Sequence, residues 1–167
     1  MIALRIHWLR NFAFAVALTV AANTGGTSAL ADDSVNTGYF GGVAIMGYDP
    51  VAYFTEGKAL KGSEEFSYEW LGTPWHFASL KHKEMFVSDP LKYAPQFGGF
   101  CASEVAVTGT ATINVDPEAF KIIDGKLYLI YDAGSAAMFA DNVKELLPKA
   151  NENWPKVQAQ LAADQYH

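Results

Sequence analysis

Between Phe66 and Phe77 large aromatic residues occupy alternate positions, Phe66, Tyr68 and Trp70 before Gly72-Thr73-Pro74 and Trp75 and Phe77 after it. A period of two is that of a strand with one buried face, and Gly-Thr-Pro is turn chemistry. The segment is therefore predicted to be a hairpin, Phe66 to Trp70 pairing with Trp75 to Ala78. It offers Phe66, Tyr68, Trp75 and Phe77 to the core and turns His76 to the other side. Ser79 is placed to cap a following helix whose His82, Met85 and Phe86 share one face, ending at Asp89-Pro90. A second hairpin is expected from Phe120 to Ile123 and Leu127 to Tyr131, joined by Asp124-Gly125. Asp49-Pro50, Asp89-Pro90 and Asp116-Pro117 each predict a helix start, because Asp caps free amides and Pro suits the first helical position. Gly98-Gly99 permits a sharp bend into Cys101, which opens a helix running through Val107 and stopping at Gly109. Ser135 is expected to cap a helix reaching about Ala150, and Trp154, Val157 and Leu161 make one stripe of a tail helix ending near Gln165. The class is α+β, a hairpin-and-helix core extended by a second hairpin and C-terminal helices. No internal repeat and no low-complexity segment is evident.

The N-terminus reads differently. Arg5, His7 and Arg10 precede the apolar run Phe12 to Ala22, and Ala29-Leu30-Ala31 has the small residues of a cleavage site, so residues 1–31 are predicted to be an export signal. The run is shorter than the roughly 20 residues a membrane span needs. Cleavage after Ala31 would leave 136 residues, a polar, Gly-rich lead-in over 32–42 that is expected to be flexible and one domain over 43–167. That predicts a soluble protein, periplasmic or secreted, with no membrane contact once the signal is removed. The formal charge of −6 becomes −8 when Arg5 and Arg10 leave. An acidic chain is a poor partner for nucleic acid, whose binding rests on Lys and Arg neutralising phosphates. A small ligand, a metal ion or an envelope protein is the expected partner. Cys101 is the only cysteine, so no intramolecular disulfide can form and packing must hold the fold.

Asp49-Pro50-Val51, Trp75-His76-Phe77-Ala78-Ser79, Phe86, Asp89-Pro90 and Tyr93 together resemble a YHS domain, a small metal-associated module. The likeness covers residues 47 to 94. In that family's pattern a Cys follows Asp-Pro-Val, a second precedes the Ser and a third lies three residues further on. Here Ala52 and Ala78 stand at the first two positions and His82 at the third. Gly47-Tyr48-Asp49-Pro50-Val51-Ala52-Tyr53-Phe54 and Tyr93-Ala94-Pro95-Gln96-Phe97-Gly98-Gly99-Phe100-Cys101-Ala102 are also similar to a branch of exported YHS-domain proteins. The resemblance implies a non-enzymatic exported binding protein that binds or senses a metal ion.

Three sets of residues could carry chemistry. His76, His82 and Cys101, with Met46, Met85 or Asp49 as further donors, are candidate metal ligands, and imidazole with sulfur favours copper or zinc. The alternative makes His76 a partly exposed strand residue, His82 helix surface and Met85 a core filler. Cys101 is also a candidate redox thiol, since a helix N-terminus favours the thiolate; the alternative is a buried, inert thiol. Tyr48, Tyr53, Tyr93, Phe97 and Phe100 could line an aromatic ligand pocket or hold a protein partner, against the plainer role of core. No nucleophile elbow, phosphate-cradling loop or His-Glu-x-x-His helix is present, and Glu64-Glu65 reads as solvated surface.

Overall fold

In a computed structural model of the protein, residues 34–164 are described. The predicted signal with its cleavage point at Ala31, and the tail residues Gln165 and His167, lie outside the described residues. The fold is α+β. Strand β1 (Ser63–Trp70) pairs antiparallel with β2 (Thr73–Phe77), and β3 (Asp116–Ile123) with β4 (Lys126–Ile130), as two separate two-stranded sheets. Helices α1 (Ala52–Thr55), α2 (Leu80–Ser88), α3 (Pro90–Tyr93), α4 (Ala102–Thr108), α5 (Ala133–Asp141) and α6 (Val143–Asp164) complete it.

The two hairpins are the same object built twice. Every paired position in the first recurs 53 residues later in the second: Ser63 with Phe77 becomes Asp116 with Ile130, and Tyr68 with Trp75 becomes Lys121 with Tyr128. Each has an irregular register between its first two pairs, at Ser63/Ser67 and at Asp116/Phe120. Each turns through two residues of positive φ, Leu71 (53°) and Gly72 (69°) in one, Asp124 (50°) and Gly125 (73°) in the other. That conformation matches the twist of the flanking strands. The likeness extends outward. Each hairpin is followed by a nine-residue helix, α2 or α5. Each half opens on a tight turn, Ala44–Gly47 or Gln96–Gly99, in which three successive residues have positive φ. Two backbone bonds recur with a 52-residue offset. Asp49 N–H donates to Leu60 O (2.8 Å) where Cys101 N–H donates to Thr112 O (3.4 Å), and Tyr48 N–H to Ile45 O (3.1 Å) where Phe100 N–H donates to Phe97 O (2.9 Å). The fold is thus an internal duplication, contrary to the absence of repeats in the sequence.

Each half has its own core. In the first, Ile45, Val51, Tyr53, Trp75, Phe77 and Phe86 are buried together. In the second, Val105, Tyr128, Ile130, Phe139 and Val157 are. Strand β4 joins them by its period of two, giving Leu127 and Leu129 to the first core and Tyr128 and Ile130 to the second. Helix α6 covers α4, with the Asn153 amide donating to Val105 O (2.9 Å), and its Trp154, Val157 and Leu161 stripe meets the second core as predicted.

Four expectations change. Asp116-Pro117 opens β3 and not a helix; Pro, lacking an N–H, fits the first residues of a strand beside the irregular pairing. Helix α5 is capped by Asp132, whose Oδ1 accepts from Ser135 N–H (2.7 Å), because Asp132 leaves β4 in the extended conformation a cap requires. This helix ends at Asp141, and α6 then runs unbroken from Val143 through the predicted tail. Finally, the lead-in is docked where it is described. Val35 and Asn36 are buried, and the Asn36 amide donates to Gly99 O (3.0 Å) and Ile113 O (3.1 Å). Gly98 has no room for a side chain, since a Cβ there would overlap the Ser34 carbonyl.

Candidate functional site

Asp49 is fully buried, and both its oxygens are committed. Oδ1 accepts from Val51 N–H (2.8 Å) and Ala52 N–H (3.3 Å), which starts α1. Oδ2 accepts from Ala78 N–H (2.8 Å) at the end of β2 and lies 2.6 Å from His82 Nδ1 on α2. The carboxylate needs Nδ1 as a donor, so the imidazole presents Nε2 on its far edge, 3.3 Å from Thr55 Oγ1 and 4.0 Å from Glu56 Oε1. Ser79 caps α2 as expected, accepting from His82 N–H (3.2 Å). His82 is not helix surface: it shares its face with Phe86, and that face is inside. The group ties α1, β2 and α2 together through one carboxylate. Nothing in the linear sequence announces it, because Asp49 and His82 are 33 residues apart.

The metal trio is not assembled. Among the described residues no group of three or more His, Cys, Asp or Glu side chains is gathered to hold a metal ion. His82 is engaged by Asp49, His76 stands half-buried on β2 with its ring over Gly47, and Cys101 belongs to the second core. The duplication separates them, since Cys101 takes in the second half the place Asp49 has in the first. Met46 and Met85 are half-buried, Met85 packing on the first core.

That equivalence explains the surroundings of Cys101. It precedes α4 and is 1% exposed, with its Sγ 3.2 Å from Ser103 Oγ. By the same offsets Ser135 stands where His82 stands, Tyr131 where Ala78 stands and Thr112 where Leu60 stands. The first half fills this position with a carboxylate and an imidazole. Its counterpart has a thiol and the small hydroxymethyl of Ser135, and a pocket of about 300 Å³ remains, lined by Cys101, Ser103, Glu104, Thr112, Tyr131 and Ser135.

The five aromatic candidates do not converge either. Tyr48, Tyr53 and Tyr93 belong to the first core and Phe97 to the second. Tyr53 packs edge-on against Phe120, and its buried hydroxyl has no hydrogen-bond partner among the described residues. Burial foremost, then Tyr48, Glu118, Asp116 and Asp49, push its phenol well above the ordinary value. Phe100 is buried with its ring 6.2 Å from that of Trp154. Phe97 lines a cleft of about 180 Å³ whose walls are Trp70, Trp75 and Trp154 with Leu71 and Leu91 at its edge. Trp70 and Trp75 are neighbours within the first hairpin, their rings 5.6 Å apart, and the packing of the halves brings Trp154 of α6 to them.

Comparison with protein families, with characterised proteins and with solved structures finds no match to this chain.

Proposed function

We propose that the chain is an exported, non-enzymatic binding module of YHS type that takes a small polar ligand in the pocket floored by Cys101. One observation carries the reading. The fold occurs twice, and the position that Asp49 and His82 close in the first half is open in the second. A fold stabilised by the closed arrangement gains nothing in packing from leaving its duplicate empty, because unfilled space forfeits dispersion contacts. A volume of about 300 Å³ lies at the small end of ligand pockets. Hydroxyls from Ser103, Thr112, Tyr131 and Ser135 and the Glu104 carboxylate supply hydrogen-bonding groups of both kinds.

The test is access to the thiol. Methyl methanethiosulfonate is expected to modify Cys101 in the folded protein, and Ser135→His, which restores the residue type of the first half, is expected to slow the reaction at least tenfold with an unchanged circular dichroism spectrum. A thiol that reacts only after denaturation, or equally fast in Ser135→His, overturns the reading.

The same pocket favours a second reading, thiol exchange. With no second cysteine, Cys101 can pair only with an external sulfur: its thiolate attacks a small disulfide, a mixed disulfide forms and the other sulfur departs as a thiolate. Incubation with cystamine then adds one cysteamine by intact mass, and no adduct on native protein excludes it.

A further inference from the structure

A second turn, at residues 38–42 within the docked lead-in, carries the most exposed aromatic pair among the described residues. Tyr39 is 83% and Phe40 97% exposed, their rings edge to face at 5.4 Å. Glycines of positive φ flank them at Gly38, Gly41 and Gly42. The turn is nonetheless anchored, since buried Asn36 bonds Gly99 O and Ile113 O and accepts from Gly38 N–H (2.8 Å). Two apolar rings are thus held in water on a fixed base, already ordered for a contact.

The tryptophan cleft is what such a ring fits. An apolar cavity of about 150 Å³ accepts benzene, and this cleft offers about 180 Å³ walled by Trp70, Trp75, Phe97 and Trp154. Ser34 and Val35 line the cleft and lead directly into the turn. Donor and acceptor surfaces are therefore adjacent on the molecule, the arrangement an isologous two-fold contact requires. Both are also uncharged among the described residues: no Asp, Glu, Lys or Arg occurs from Ser34 to Tyr48 and none of those described lines the cleft, on a chain of net charge −6. Two acidic copies meet with least repulsion there.

We propose that the protein forms a two-fold dimer in which the turn of each copy inserts Phe40 into the tryptophan cleft of the other, with Tyr39 against the rim at Leu71 and Leu91. Four rings of about 150 Å² each bury roughly 600 Å², to which the largely buried walls of two clefts add a smaller share, so the contact is a small one that forms at high protein concentration. The ring cannot serve its own cleft while Asn36 holds the turn in solvent.

Sedimentation equilibrium over a concentration series of the purified protein tests this. The expected result is dimer at high concentration, persisting in 1 M salt. Phe40→Ser and Leu91→Arg, both at exposed positions, are each expected to leave monomer. Mixing the two variants restores some dimer, because the intact cleft of the first and the intact turn of the second remake one of the two contacts. Monomer at every concentration, or a dimer indifferent to both substitutions, overturns the proposal. Monomer whose tryptophan fluorescence responds to a Phe-containing peptide also overturns it and assigns the cleft to a foreign partner. Neither result touches the Cys101 pocket, which shares no residue with the cleft or the turn.

Discussion

Replacing Asp49 tests whether one carboxylate organises the first half. Asp49→Ala strands four donors in the interior, the amides of Val51, Ala52 and Ala78 and the His82 ring. A hydrogen bond to a charged group contributes about 1.5–3 kcal/mol, and a buried donor left without a partner costs about 1–3 kcal/mol. About 4 kcal/mol is expected, a large share of the roughly 5–15 kcal/mol that holds a domain. Asp49→Asn is more discriminating. If its carbonyl keeps Val51 and Ala52, its NH₂ faces the Ala78 amide, donor against donor. The His82 side can recover, because moving the ring proton to Nε2 lets Nδ1 accept while Nε2 donates to Thr55 Oγ1. One clash then remains, and the loss should be about 2 kcal/mol, between wild type and Ala. Urea denaturation read as a fall in midpoint at constant slope measures both variants. Hydrogen exchange should place the extra opening of Asn at Ala78. A variant Asp49→Asn as stable as wild type, or Ala78 protection unchanged in it, would mean that the Ala78 amide does not depend on this carboxylate.

Tyr53→Phe removes a buried hydroxyl that has no partner among the described residues and is expected to raise stability by up to about 1 kcal/mol, whereas a loss would mean the hydroxyl is bonded. The raised phenol pKa fixes the sign with pH: the folded state keeps the proton longer, so stability is intact below the ordinary value near 10 and declines above it, and Tyr53→Phe should flatten that alkaline decline in a melting series. Phe86→Ala empties a site ringed by Tyr68, Trp70, Trp75 and Phe77 and should cost about 3–5 kcal/mol by denaturant titration; under 1 kcal/mol would mean that the aromatic cluster collapses into the gap.

Local signals carried far in this chain. Alternating aromatics set the first hairpin, Asp124-Gly125 the second, Ser79 the start of α2, and Gly109 the end of α4, each a property of a few consecutive residues. The errors lie where two local signals compete. Asp116-Pro117 suits a strand start as well as a helix start, and Asp132 and Ser135 are both good caps until the end of β4 decides between them.

The duplication could not be read because backbone, not side chain, is repeated. Trp75-His76-Phe77-Ala78-Ser79 and Tyr128-Leu129-Ile130-Tyr131-Asp132 occupy equivalent positions with no residue in common. Alternation and turn chemistry constrain the pattern of polarity, which many residues satisfy, so the hairpins, the helices after them and the absence of an intramolecular disulfide are already legible in the residues. Which distant residues meet is a matter of packing: Asp49 with His82, Trp154 with the hairpin tryptophans around one cleft, and Cys101 beside a pocket where its counterpart is filled. Hydrogen bonds and cavities depend on distances of a few ångströms between segments far apart in the chain, and those distances are set by packing.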